Sequence, residues 1–346
     1  MHSLLAQALS LLVVPVMLVL VAGLFTTMQI FIQLGRETAR DQAIADQTAE
    51  FQKFLEEFRA QEASLQDYRD LMVTLLLKHH LRESAEGSEV LAIARAQTVA
   101  VLTQFDGEHN QAVTRFLSDS GLLQKPALLA NTDLQDAELQ KAVLQDANLA
   151  GTQLNGANLT DAVLINADFS AKEKVDGGTQ TIRADLTKAD LSKASLLVAN
   201  LSECLLKEAT LTDANLKSAD LNSTELQGAD LSNAKLQGAD LSPATVPGFP
   251  LPKIPTNLTD ADLRDAALQS ADLSRADLTD ADLTDANLTD ADLSEAHGWT
   301  MEQLTAARSL KGAIMPDGQR LRSVENPEGP TFENWLKEKE KSQQDE

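Results

Sequence analysis

Four hydrophobic patterns follow one another along the chain. Residues 3–35 carry no charged side chain, and their core, Leu11 to Ile32, has the length of a bilayer span, about 20 apolar residues. No Lys or Arg precedes it, so the basic start of a cleaved signal peptide is missing and an uncleaved transmembrane anchor over residues 1–35 is expected. Arg36 and Arg40 follow the span, which by the positive-inside rule predicts a single-pass membrane protein with its C-terminal bulk in the cytoplasm. Residues 36–125 then read as an α-helical, coiled-coil-like spacer. Ile44, Phe51, Phe58, Leu65 and Met72 stand seven apart, with Phe54, Tyr68 and Leu75 at the matching offset and Gln47 and Gln61 interrupting. That seam either joins a second copy, giving a homo-oligomer through residues 44–75, or packs on the helices that follow. Ser88 is placed to cap a helix bearing Val90, Leu91, Ala94, Val101, Leu102 and Phe105. Asp106 is placed to cap another that stops near Gly121.

Over residues 127–297 the period becomes five, as in ADLTDADLTDANLTDADL from Ala276 to Leu293. Leucines five apart step by about 140° around an α-helix and leave no apolar face. On a flat strand they alternate sides, because five is odd. Within one word, however, Ala281 and Leu283 are two apart and share one side of a short extended segment. The Asp, Asn, Thr and Ser between them are turn formers. The pattern predicts a coil of short extended segments and corners with Ala and Leu inward, so Leu278, Leu283, Leu288 and Leu293 are structural core. Central apolar residues keep this step from Leu129 to Phe169, Leu186 to Val246 and Leu258 to Leu293, thirty words in all.

These words resemble the motif of the pentapeptide-repeat family, A(D/N)LXX. The resemblance implies a mainly β fold, a right-handed quadrilateral β-helix with four words per turn. The segments around Arg82–Ser84, EVLAIARAQTVAVL (89–102), Asp106–Gly107 and RFLSDSGLL (115–123) are further similar to membrane-anchored members from cyanobacteria. GEHNQ follows the DG pair where those members carry more basic residues. Two breaks in the frame predict loops thrown out of corners, near 170–183 around Gly177 and Gly178 and near 247–255 in PGFPLPKIP, since Pro cannot donate to a ladder. Residues 298–346 are expected to supply a capping helix, with Thr300 and Gln303 as a capping box, and then a charged, unstructured tail. Phe332 and Trp335 are placed to anchor one more short helix.

Candidate chemistry is sparse. His2, His79, His80, His109 and His297 are scattered, Cys204 is the one cysteine and takes an inward small-residue position, and no metal-ligand, phosphate-loop or nucleophile motif appears. Neither enzyme activity nor a cofactor is expected. The net charge is −23, and residues 127–297 hold 28 acidic and 12 basic side chains. Residues 20 apart stack in a four-sided coil, so Asp260 lies by Asp280 and Asp265 by Asp285. Like charges about 5 Å apart in water cost somewhat under ~1 kcal/mol, against about 1.5–3 kcal/mol gained by burying one Leu. The repulsion is therefore tolerable without a function. Asp277, Asp282, Asn287 and Asp292 serve the corners. The outward candidates for interaction are Asp260, Asp265, Asp280, Asp285 and Asp290.

Anchor, spacer and flat-faced rod together predict a non-catalytic, membrane-tethered interaction scaffold with protein partners. The alternative is an acidic imitation of nucleic acid that inhibits a DNA-binding enzyme such as gyrase, as some pentapeptide-repeat proteins do. A third reading is a Ca²⁺-dependent surface protein, whose carboxylate ligands are present without a loop to assemble six to eight of them. Direct binding to nucleic acid is not favoured at this charge.

Overall fold

The computed structural model describes residues 37–173, 181–243 and 255–344. The chain divides after Ala60 into two compact units. Helix α1 covers Glu37–Lys78 and ends where His80 turns left-handed (φ 50°) into a single 3-10 turn, Leu81–Glu83. Helix α2, Glu89–Gln104, is capped by the Ser88 hydroxyl, which accepts from Leu91 N at 3.3 Å. Helix α3, Gly107–Asp119, is capped by Asp106, which accepts from His109 N at 3.0 Å.

The heptad seam is answered inside the second unit. Leu65, Tyr68, Met72 and Leu75 are buried. The Tyr68 hydroxyl lies 2.9 Å from that of Thr98, and its ring meets Phe116 edge-on at 6.3 Å. From Leu65 onward the seam is therefore occupied by the chain's own helices, the second of the two outcomes expected for it.

The expectation of a membrane protein with a cytoplasmic repeat domain is corrected: among the described residues no helix is long and apolar enough to cross a membrane. Helix α1 has the length but carries charges along its whole course. The anchor expected at Leu11 to Ile32 lies outside the described residues, as does the word centred on Val246.

From residue 133 the chain coils. The residue before the central Leu of each word pairs in parallel with its counterpart twenty positions on: Asp133 with Gln153, Glu138 with Asn158, Val143 with Val163, Asn148 with Asp168. Twenty residues are four words, so the coil has four sides. Ala and Leu point inward, and Leu278, Leu283, Leu288 and Leu293 are all at most 1% exposed. The backbone is satisfied in two directions. Ala281 N donates back across the corner to Leu278 O of the preceding word (3.1 Å), while Leu258 N donates to Asp277 O of the next rung (2.8 Å).

At both insertions the step between rungs lengthens from 20 to 32 residues, as from Gln153 to Asp185 and from Glu225 to Asn257, so each adds twelve residues to one turn. The added residues follow Asp168 and Asp240 in the sequence, and these two stand on the same side of the coil. The first insertion carries an antiparallel ribbon of β1, Lys172–Glu173, and β2, Thr181–Ile182.

Open coil ends are unpaired edges and invite pairing with other chains. At the first turn α3 closes the edge with side chains. Asn110 Nδ2 donates to Glu138 O (2.8 Å), Gln111 Nε2 to Lys141 O (3.2 Å), and Val143 N donates to the Thr114 hydroxyl (3.1 Å). At the last turn a helix replaces one side of the coil. Helix α4, Met301–Ala306, carries the complete Thr300–Gln303 capping box and occupies the side below Asp282, after which Ser309 and Ile314 rejoin the ladders of Asn287 and Asp292. A reversal at Pro316–Gly318 and helix α5, Phe332–Gln344, finish the chain. The charged stretch expected to stay unstructured is thus helical to Gln344, with Lys339 Nζ 2.6 Å from Asp317 and over the Trp335 ring.

Candidate interaction faces

Each word ends on a left-handed residue. Asp260, Asp265, Asp280, Asp285 and Asp290 have φ between 54° and 58°, where Asp and Asn are tolerated and most other residues are strained. Gly151, Gly156, Gly228 and Gly238 take the same place in other words. All five Asp residues are exposed, but they do not gather. Asp260 and Asp280 lie on one corner, Asp265 and Asp285 on the next, Asp290 on the one after. Asp265 is ion-paired with Arg308 at 2.6 Å, and Asp290 lies 3.8 Å from Arg320.

The Asp or Asn before the central Leu has a different task. Its Oδ1 accepts from the backbone N–H two residues on: Asp277 from Thr279 (3.1 Å), Asp282 from Thr284 (2.9 Å), Asn287 from Thr289 (3.1 Å), Asp292 from Ser294 (2.8 Å). Such Asx turns close the corners, and Asn serves them as well as Asp does.

Assigning every ladder residue to a side separates charge from fold. We number the sides 1 to 4 from those of Asp133, Glu138, Val143 and Asn148. Face 1 carries four carboxylates (Asp133, Asp185, Glu225, Asp277). Face 2 carries five (Glu138, Asp190, Asp230, Asp262, Asp282), and face 4 also five (Asp168, Asp220, Asp240, Asp272, Asp292). Face 3 carries none: Val143, Val163, Ser195, Asn215, Lys235, Ala267, Asn287 and Ser309. The fold demands Asx turns on some words, but it does not demand this partition.

Local partners tune the acidic faces unequally. Burial raises the Asp220 carboxyl, and Asp240 on the next rung adds to the rise against a backbone hydrogen bond from Asn222. The hydrogen bond from Arg264 holds Asp262 below the usual carboxylate range. Burial of Glu225 is outweighed by hydrogen bonds from Lys207 and Arg183, which lower it. Where α4 stands in for a strand, a shallow cleft of about 430 Å³ is lined by Asp280, Asp282, Thr284, Thr300, Glu302 and Gln303. Among the described residues no three His, Cys, Asp or Glu are grouped to hold a metal ion. Burial pushes the Cys204 thiol up, and its Sγ points at Phe169 O (3.4 Å), so it is an inert filler. Buried His109 has its Nδ1 2.8 Å from Asp106 and its Nε2 3.6 Å from Glu62, a tie between α1 and α3.

The pentapeptide-repeat family model matches in eight copies, over residues 127–161, 142–171, 182–217, 199–242 and 256–295. Residues 127–295 thus carry the repeats of the pentapeptide-repeat family, and their coil is the right-handed β-helix that these repeats form. The matched residues lie between 127 and 295, so none falls on α1 to α3.

Similar solved structures include trypsin-treated QnrB1, a plasmid-mediated fluoroquinolone resistance protein (19% identity, 50% of this chain and 83% of that one, TM-score 0.35). Rfr23, a pentapeptide repeat protein from the cyanobacterium Cyanothece 51142, is 29% identical over 40% of this chain and 85% of its own, with TM-score 0.18. A pentapeptide repeat protein from the Arabidopsis thaliana thylakoid lumen is 21% identical over 49% and 84%, with TM-score 0.19. No curated protein matches.

Proposed function

We propose that the protein is a non-catalytic interaction scaffold that presents faces of different charge to protein partners. The observation that carries this is the partition of ladder carboxylates, fourteen over faces 1, 2 and 4 and none on face 3. Flat, rigid, sign-sorted faces suit protein contact, where complementary potentials set orientation and on-rate. The partner of the acidic faces is accordingly a protein with a basic surface, bound more weakly as salt rises.

The test exploits the redundancy of Asp and Asn in the Asx turn. Asn200 already stands in the face 4 ladder and accepts from Ser202 N at 3.1 Å. Replacing Asp240, Asp272 and Asp292 by Asn therefore removes three charges from face 4 and keeps the corners. In crosslinking and mass spectrometry of native extracts, partners linked to face 4 of the full chain should be lost from this variant, while those on face 3 remain. An unchanged set of crosslinks would sink the reading.

A second reading has one observation in its favour. Carboxylates follow each other on faces 2 and 4 at the spacing of stacked strands, about 4.8 Å, in the manner of a polyanion imitating nucleic acid. It predicts that the full chain competes with duplex DNA for a DNA-binding enzyme such as gyrase, and that the three Asp→Asn changes weaken this competition.

A further inference from the structure

Face 3 is more than a gap in the acidity. One of its rims carries charges that alternate in sign rung by rung, and the other has one charge at each end of an apolar stretch. On the rim shared with face 2, successive rungs present Lys141, Asp161, Lys193 and Asp213, all exposed, joined in that order by backbone bonds from each residue to the next rung. On the rim shared with face 4, the same four rungs present Gln145 and Asp146, then Ile165 and Asn166, then Leu197 and Val198, then Lys217 and Ser218, with Asn166 Nδ2 donating to Asp146 at 2.8 Å. Between the rims lie Val143 and Val163 on adjacent rungs.

Two features of this strip are not what the fold asks for. Residues at the word's last position ion-pair between rungs elsewhere, as Lys188 with Glu208 at 3.4 Å and Arg275 with Glu295 at 2.6 Å. Lys193 and Asp213 occupy the same relation, and neither they nor Lys141, Asp161, Asp146 and Lys217 form an ion pair among the described residues. Val198, moreover, is a β-branched residue at φ 52° with 46% of its surface exposed. Val is strained in the left-handed region, where Asn or Gly fits without cost. An exposed apolar side chain held in an unfavourable conformation marks a residue retained for contact rather than for folding.

The geometry points to a second copy of this chain as the occupant of face 3, in a two-fold, antiparallel face-to-face dimer. A two-fold axis in the plane of face 3 and across the coil, passing between the rungs of Val163 and Ser195, reverses rung order and keeps each rim opposite itself. Lys141 then faces Asp213 of the other copy, and Asp161 faces its Lys193. On the other rim Asp146 faces Lys217, and Ile165 meets Leu197 and Val198 at the centre. An alternating series of four charges changes sign on reversal, so every opposed pair is attractive. This is the self-complementarity that an isologous contact requires.

Charge also selects this face. Two copies at a net −23 each repel through faces 1, 2 and 4. The acidic rim residues Asp265, Asp285 and Asp290 belong to later rungs, beyond the four in contact. Four rungs at ~4.8 Å give a contact about 20 Å long, at the small end for specific interfaces, so the dimer is reversible. It is independent of any outside partner on the acidic faces.

Sedimentation of the full chain over a concentration series tests this with two sets of variants. Lys193→Asp places like charges opposite each other and should weaken association about tenfold. Asp161→Lys alone should do the same, and the double variant, with the pair reversed, should restore it to within about twofold. Val198→Asn should raise the melting temperature, by relief of strain, while weakening association about tenfold. Loss of both stability and association in Val198→Asn would mean a residue needed for folding and would overturn the proposal. So would association that all of these variants leave unchanged, a double variant no better than the singles, or a chain that stays monomeric throughout the series.

Discussion

The first turn of the coil presents Glu138 O, Lys141 O and Val143 N to α3, which lies across them and answers with an Asn, a Gln and a Thr side chain. The last turn has no such lid. There the chain itself changes conformation, and α4 takes the place of a strand, its Gln303 Nε2 donating to Leu278 O (2.9 Å) and Ala281 O (2.8 Å). Both ends face the same difficulty, a row of backbone groups without a next rung. One closure depends on side chains placed at fixed points, of which Asn110 and Thr114 are fully buried. The other depends on a short helix that completes the turn and on aromatic residues packed behind it. The first should be brittle toward polar substitutions and the second toward apolar ones.

The largest effect is expected behind the second closure. Trp335 is wholly buried, stacks with Phe332 at 6.0 Å, and donates from Nε1 to Asp317 at 3.1 Å. Trp335→Ala should cost about 3–5 kcal/mol, as for other buried Trp and Phe truncations. Hydrogen exchange should locate the damage after His297 and leave α3 protected. Uniform loss of protection would show that the two closures are not separable.

Asn110→Leu is the corresponding change at the first closure. The amide is 0% exposed and serves Leu102 O and Phe105 O as well as Glu138 O. Leaving those carbonyls without a donor should cost about 1–3 kcal/mol. Gln303→Ala removes a comparable pair of bonds at the other end, but the side chain is only partly buried and water can replace it, so about 1 kcal/mol is expected. If the Gln303 change proves the more costly in urea titrations, burial does not distinguish the closures.

How far these features were legible varies with their cause. The inward column was, because a period of five has few ways to bury Ala281 and Leu283 together and thirty words repeat the constraint. The caps of α2, α3 and α4 were, because Ser88, Asp106 and Thr300 stand where first-turn N–H groups need acceptors. The outward Asp280, Asp285 and Asp290 looked like free positions, whereas each is a left-handed residue. Gly156, Gly228 and Gly238 in the same register were the available clue. The sorting of charge by face was hidden by the two twelve-residue insertions. They shift residues that stack from 20 apart to 32 apart, so Asp168 and Asn200 do not look like neighbours in the sequence. The substitution of α4 for a strand was hidden because nothing in MEQLTA says whether a helix lies beyond a coil or inside its last turn.

The smallest predicted effect separates the closures by pH. Each contains a carboxylate held below its ordinary range. For Asp106, burial is outweighed by the backbone and side-chain hydrogen bonds of His109, and for Asp317 by Lys339, Gln319 N and the Trp335 indole. A carboxyl whose folded pKa is depressed adds stability that is fully present above its unfolded value, about 3.9. That stability is lost as pH falls through the lower folded value. Asn is as good a helix cap as Asp, so Asp106→Asn should keep the cap and lose only the charge contact with His109. Asp317→Asn loses its ion pair with Lys339 and should lower stability at neutral pH by up to about 1 kcal/mol, the upper range for a partly exposed pair. As pH falls from about 4 through that lower folded value the Asp317 variant and the parent should converge, because the parent's carboxyl then becomes protonated as well. Parallel stability curves down to pH ~2 would mean that Asp317 acts through its shape and its bond to Trp335, not through its charge, and that the second closure is apolar throughout.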